Sequence, residues 1–147
     1  MENDWLKKCN EWKKMWDGEN SYHVKFRHSN FFSIYDVIKL INDYSKLNNV
    51  FLFDAGSPSY VCPVNLKIRK GQRIISSPSQ ADMGWAIPAS VGVSLADRAR
   101  RPVVIVGDGS CMSNMQELAA IKAHNLPIKI IVLNNDGYLS IKNTQKK

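Results

Sequence analysis

Two apolar runs, PVVIVG at 102–107 and PIKIIVL at 127–133, are separated by a segment of helical spacing, and each ends in small polar residues, GDGS and NNDG. Short β-branched runs bounded by glycine and proline read as strands buried on both faces, the mark of a parallel sheet. A parallel pair needs a crossover between its members. The S-x-x-Q pattern of Ser113 and Gln116 predicts a capping box that starts a helix at Asn114 and carries it to about His124. The chain is thereby confined to an α/β layer structure with a right-handed crossover, and its ligands are expected beyond the carboxyl ends of the strands. Asp54, Asp108 and Asn135 stand at three such ends.

Upstream, Ile34, Val37, Ile38, Ile41 and Tyr44 recur at helical spacing, which predicts a helix over 34–47 opened by Ser33 with Asp36. Val50 to Phe53 reads as a buried parallel strand running into Asp54, Ala55 and Gly56. Residues 57–73 read as irregular, 73–77 as a short strand, and 85–97 as a buried helix with Pro88 in its first turn, where proline is tolerated. In DWLKKCNEWKKMWD at 4–17, Trp5, Cys9, Trp12 and Trp16 share one helical face. That face suits docking onto another domain or subunit better than a membrane, and 18–30 reads as a linker. The expected division is an amphipathic helix and linker over 1–30 and one binding domain over 31–147.

The 44% hydrophobic and 22% charged residues are those of an ordinary globular protein. The net charge of +7 falls in the second part of the chain, scattered through KIRKGQR, DRARR and QKK rather than clustered with aromatics, which speaks against nucleic acid. Cys9, Cys62 and Cys111 form no C-x-x-C pair, and the three histidines add no metal-binding spacing to them. Thiols in a reducing compartment fit this pattern. With no signal-peptide core and no apolar run near the roughly 18 residues of a membrane span, a cytoplasmic protein is expected.

The strand tips carry the chemistry. Asp108 offers a carboxylate, Asn135 an amide oxygen and Gly137 a main-chain carbonyl, all hard oxygen donors suited to Mg²⁺. Gly107 and Gly109 allow a ligand close to the backbone, and the amides around Ser110 lie beside a helix start, a setting for an anion such as a diphosphate. Each tip taken alone is equally a tight turn braced by Asx hydrogen bonds. A P-loop is disfavoured because no G-K-[ST] follows, and a dinucleotide fingerprint because G-x-G-x-x-G is missing.

GDGSCMSNMQELAAIKAHNLPIKIIVLNNDGY closely resembles the signature of thiamine diphosphate enzymes of the acetolactate synthase and pyruvate decarboxylase group, GDG followed some two dozen residues later by NN. DAGSPSY at 54–60 and RIISSPSQADMGWAIPASVG at 73–92 resemble the stretches that precede it. The resemblance implies a three-layer parallel-sheet fold, incomplete at its C-terminus, that binds thiamine diphosphate and Mg²⁺. It implies that Asp108, Asn135 and the main chain of Gly137 hold the metal, and that Gly107, Gly109 and Ser110 meet the diphosphate. Met83 would wedge between the two cofactor rings and the Ala81 carbonyl would receive the 4'-amino group. Glycine or a similarly small residue is usual at position 81, so alanine fits; Asp82 departs from the Ser, Ala or Thr that is usual beside it.

In that group the cofactor's thiazolium carbon attacks a small 2-keto acid, carbon dioxide leaves, and the product is protonated or joined to a second carbonyl. The glutamate that serves the pyrimidine ring comes from a pyrimidine-binding domain, which nothing in this chain matches. Glu117 lies in the crossover helix and is not its substitute. The resemblance therefore implies a fragment of an acetolactate synthase-like enzyme, inactive alone and working within a homo- or hetero-oligomer. A subunit of a split phosphonopyruvate- or sulfopyruvate-type decarboxylase, and a non-catalytic cofactor-binding or interaction module, are the alternatives.

Overall fold

A computed structural model describes residues 4–15, 32–77 and 79–146. Four strands, β1 (Asn49–Phe53), β2 (Arg73–Ser76), β3 (Arg101–Gly107) and β4 (Lys129–Leu133), form one sheet in the order β2-β1-β3-β4. Every pairing is parallel, with Phe51 opposite both Ile74 and Val103, and Ile105 opposite Ile131. β1 is buried along its whole length and β3 from Pro102 to Val106, as their unbroken apolar runs predict for central strands covered on both sides.

Alternation along these strands feeds two cores. Phe51, Phe53, Val103 and Ile105 face one layer, packing with Ile38 and Ile41 of α2 (Ile34–Tyr44), Cys62 of α3 (Ser57–Asn65) and Leu66. Val50, Leu52, Val104 and Val106 face the other, against Ala86 and Ile87 of α4 (Ala86–Ala96), with Cys111 and Ile121 packed beside them. Each fully buried Val, Ile, Leu or Phe contributes about 1.5–3 kcal/mol of transfer free energy. The result is helix, sheet, helix, the three-layer architecture expected from the sequence.

The path of the chain creates a crevice. From β1 it steps outward to β2 through α3 on one face, then returns through α4 on the opposite face, past β1, to β3. The two directions of travel diverge between β1 and β3, and their carboxyl ends open a space there. Asp54 and Asp108 follow those two strands directly.

Local signals explain most element ends. Ser33 Oγ accepts the Asp36 N–H at 3.2 Å and Asp36 returns the contact to the Ser33 N–H at 3.0 Å, a full capping box at the head of α2. That helix ends at Tyr44, three residues short of the predicted limit, because Ser45 turns extended. Pro88 does fall in the first turn of α4. Two of the basic segments, KIRKGQR and DRARR, lead into the amino ends of β2 and β3. Arg69 donates to the carbonyl of Ser45, which caps α2, and Arg98 to that of His124, which caps α6 (Glu117–Ala123), at 3.2 Å. Cations there offset the partial negative charge of helix C-termini.

Two expectations are corrected. Residues 57–65 are helical, not irregular: Pro58 sits at the start, where its missing N–H costs nothing, and Pro63 falls near the end. The Ser113–Gln116 capping box does not form. Helical backbone begins at Asp108 and runs to Ser113 as α5, a turn follows, and α6 starts at Glu117 without a side-chain cap. Gln116 donates instead to Asn114 Oδ1 at 2.9 Å, and Ser113 Oγ to the Gly109 carbonyl at 3.4 Å.

At the amino end, α1 (Asp4–Met15) is helical as predicted and buries none of its residues. Trp5 and Trp12 meet edge to face at 5.7 Å, with the Lys8 ammonium 6.0 Å from the Trp12 ring. Trp16 and the expected linker over 18–30 lie outside the described residues. Near the carboxyl end, α7 (Leu139–Gln145) follows β4. Among the described residues no helix is long and apolar enough to cross a membrane.

Candidate functional site

The tip of β3 is built around Asp108. Its Oδ1 accepts the N–H of Gly109 at 2.9 Å and its Oδ2 accepts the N–H of Gly137 at 2.8 Å, joining the start of α5 to the loop after β4. Residues 108 and 137 thus meet directly. Asn135 stands in the same loop and is exposed, while Asn134 Oδ1 accepts the Asp136 N–H at 3.1 Å in an Asx turn. Asp136, Gly137 and Tyr138 all have positive φ, at 61°, 79° and 47°. The Asp108 carboxylate and the Gly137 backbone thus share one corner, with Asn135 two residues away in the same loop.

That donor set suits a hard divalent cation that keeps further positions for water and phosphate oxygen, the habit of Mg²⁺. Groups of three or more His, Cys, Asp or Glu side chains that could hold a metal ion do not occur among the described residues. Space for a ligand exists: a Cβ at Gly107 or Gly137 would meet nothing within 4 Å. At Gly109 the space is taken by the ring of Tyr138, with Cζ at 3.1 Å from that position. Ser110 is buried at 4% exposure in the first turn of α5.

The second wall is the segment before α4. Ala81 is left-handed at φ 54°, and its N–H donates to the Ser77 carbonyl at 3.0 Å. A left-handed backbone is the physical reason for a glycine or very small residue at this position. Asp82 is exposed, accepting from Ser77 Oγ at 3.2 Å, and Met83 is 41% exposed despite its apolar chain. Gly84, at φ 85°, lies so close to α5 that a Cβ there would meet Ser113 Cβ at 2.9 Å and the Ser110 carbonyl at 3.0 Å. Asn114 Nδ2 closes the contact by donating to the Gly84 carbonyl at 3.0 Å.

Asp54 holds this wall to the sheet and is not itself a surface ligand. Fully buried, it accepts the N–H groups of Ala55 and Gly84 at Oδ1 and of Ala86 at Oδ2, all within 3.0 Å. Sequence reasoning placed Asp54 at a strand end but missed this role; it read Asn114 only as a helix start, and it assigned no role to Gly84 or Tyr138. The glycine in DMGW was the available signal for a left-handed turn. Glu117 opens α6, where a carboxylate favours the helix N-terminus.

Comparison with known proteins bears on the same residues. A family model described as "Thiamine pyrophosphate enzyme, C-terminal TPP binding domain" matches residues 54–147. An alpha-keto-acid decarboxylase of Mycobacterium leprae (strain TN) is 38% identical over 90 residues, 61% of this chain and 16% of that protein. The acetolactate synthase large subunit of Lactococcus lactis subsp. lactis (strain IL1403) is 28% identical over 111 residues, 76% of this chain and 19% of the relative. That of Buchnera aphidicola subsp. Acyrthosiphon pisum (strain APS) is 31% identical over 142 residues, 97% of this chain and 24% of the relative. The chain spans no more than about a quarter of the length of these relatives.

Proposed function

Because the chain belongs to the thiamine pyrophosphate enzymes, through their C-terminal cofactor-binding domain, we propose that it grips the diphosphate of thiamine diphosphate through Mg²⁺. It does so as one part of a 2-keto acid decarboxylase or carboligase of the acetolactate synthase and alpha-keto-acid decarboxylase kind. The observation that carries this reading is the 2.8 Å contact between Asp108 Oδ2 and the Gly137 N–H, which unites the two polar strand tips in one corner.

In this reading Asp108, the Asn135 amide oxygen and the Gly137 carbonyl would hold Mg²⁺, which would bind the diphosphate in turn. Gly107, Gly109 and Ser110 border the diphosphate. The Ala81 carbonyl accepts a hydrogen bond from the pyrimidine amine, which its left-handed backbone and the Asp54 anchor of the following turn support. Met83, apolar yet 41% exposed, supplies the surface on which the cofactor bends. When bound, the cofactor supplies a carbon nucleophile and electron sink for the carbonyl of a 2-keto acid. This chain's residues would bind and orient it, and the acid that serves its pyrimidine ring would be supplied by a pyrimidine-binding domain, elsewhere in a longer chain or on another subunit of a homo- or hetero-oligomer.

Calorimetric titration with Mg²⁺ and thiamine diphosphate tests the reading. Binding that needs the metal and is abolished by Asp108→Ala is the expected result. Unchanged affinity in Asp108→Ala would sink the site assignment, and binding of ATP or GTP in place of thiamine diphosphate would sink the cofactor. Adding a complementary pyrimidine-domain chain separates catalysis from a purely binding role, since only the former yields decarboxylation of 2-keto acids.

A further inference from the structure

Position 109 faces a neighbouring side chain as well as the space offered to a ligand. A Cβ there would lie 3.1 Å from Cζ, 3.3 Å from Oη and 3.4 Å from Cε1 of Tyr138, whereas at Gly107 it would meet nothing. Tyr138 is 52% exposed, so its ring is not part of the hydrophobic core.

The backbone that delivers the ring is itself unfavourable. Asp136 and Tyr138 flank Gly137 in a run of three positive φ angles, and Tyr138, at φ 47° and ψ 37°, is in the left-handed helical region. Side-chain-bearing residues avoid that region, and such strain persists only where the surroundings over-determine it. Here the determinants are local and numerous. Lys142 Nζ donates to the Asp136 carbonyl at 2.6 Å and the Lys142 N–H to the Tyr138 carbonyl at 2.9 Å, while the Gly137 N–H donates to Asp108. The Asp108 contact ties this loop to β3 through the very carboxylate a cation would claim; the Tyr138 ring ties it through Gly109 and leaves that carboxylate alone.

We propose that Tyr138 is a positioning residue for the cation site. Seated on Gly109, its ring holds the 134–138 loop against the tip of β3, so that Asn135 and the Gly137 carbonyl converge with Asp108 before a cation arrives. The inference rests on the function proposed above, and it gives GDG a second meaning: Gly109 is small to admit Tyr138. The saving is in ordering, since a loop already set in place loses less freedom when it binds.

The test uses the full chain with Tyr138→Phe, Tyr138→Ala, Gly109→Ala and the double variant Gly109→Ala/Tyr138→Ala. Two quantities are read: amide exchange at Gly137 without ligand, and Mg²⁺ affinity at saturating thiamine diphosphate. Tyr138→Phe stays within about twofold of the parent in both, while Tyr138→Ala accelerates Gly137 exchange and weakens Mg²⁺ by about tenfold each. Gly109→Ala accelerates Gly137 exchange without ligand as Tyr138→Ala does, and in that readout the double variant is no worse than either single one, because both disturb the same contact. Parental exchange in Tyr138→Ala, a loss in Tyr138→Phe equal to that in Tyr138→Ala, or summed accelerations of exchange in the double variant would overturn the proposal. Should Gly109→Ala not fold, the phenylalanine and alanine variants at 138 still decide it. If the parent chain takes up no Mg²⁺ with thiamine diphosphate, the proposed function fails, while Gly137 exchange still reports whether the ring holds the loop.

Discussion

Asp54 and Gly84, thirty residues apart in the chain, are joined by a buried hydrogen bond of 2.9 Å from the glycine N–H to the carboxylate, which also accepts the Ala86 N–H at 3.0 Å. This joint fixes where the 81–85 segment crosses the crevice. Asp54→Ala strands two buried N–H groups, and with charge-assisted bonds at about 1.5–3 kcal/mol each the expected loss is roughly 3–6 kcal/mol. Asp54→Asn keeps the shape but turns an NH₂ toward one donor, costing about 1–3 kcal/mol. Urea unfolding of the three proteins checks the order.

Gly84→Ala is expected to be among the most damaging small substitutions. The new methyl would meet Ser113 Cβ at 2.9 Å and the Ser110 carbonyl at 3.0 Å, on a backbone at φ 85°. Overpacking and backbone strain together predict a loss of about 2–4 kcal/mol. Gly92→Ala, a helical position with nothing within 4 Å, is the matched control and is expected to leave stability unchanged or slightly raised. Thermal melts of the pair provide the comparison.

Ala81→Gly should stabilise the protein, against the usual trend for a glycine substitution. Ala81 is at φ 54°, where a Cβ costs about 1–2 kcal/mol, partly offset by the greater freedom of glycine when unfolded. A net gain of up to about 1 kcal/mol, seen as a rise of several degrees in melting temperature, is the expected outcome. A fall would mean that the Ala81 methyl makes a contact worth more than its strain.

Burial pushes the Cys62 thiol up to about 12 from 9.0. Below pH 9 the thiol is protonated in both states and its burial carries no ionisation cost. Between pH 9 and about 12 the unfolded chain releases this proton and the folded one keeps it, so stability falls with rising pH, by about 1.4 kcal/mol per unit from this group. Cys62→Ala should show a shallower decline over that range in denaturant unfolding. In the native protein at pH 8, alkylation should reach the half-buried Cys9 and Cys111 well before Cys62.

Much of the architecture was legible because its determinants are local. The apolar runs at 50–53 and 102–106 could be buried only between two layers, and Ser33 with Asp36 closes a capping box from residues three apart. The same local reasoning failed at α3, where 57–73 read as irregular although 57–65 is a helix that holds Pro58 at its head and Pro63 near its foot. It failed again at Ser113. There the pattern for a helix start is present, but Asn114 is committed to the Gly84 carbonyl and Ser113 is pressed against Gly84, contacts that bring together residues far apart in sequence.

By itself, the sequence determined the layered parallel sheet, the polar character of its strand tips and the spacing of Asp108, Asn135 and Gly137, since periodicity and residue chemistry are properties of short stretches. Only the tertiary structure decided how those tips are held. Asp54 turned inward to carry the 81–86 turn, Gly137 was drawn to Asp108, and Tyr138 came to rest on Gly109. Each depends on a contact between segments that the chain brings together only after its strands have paired, and a one-dimensional pattern carries no record of which buried donor will find which acceptor.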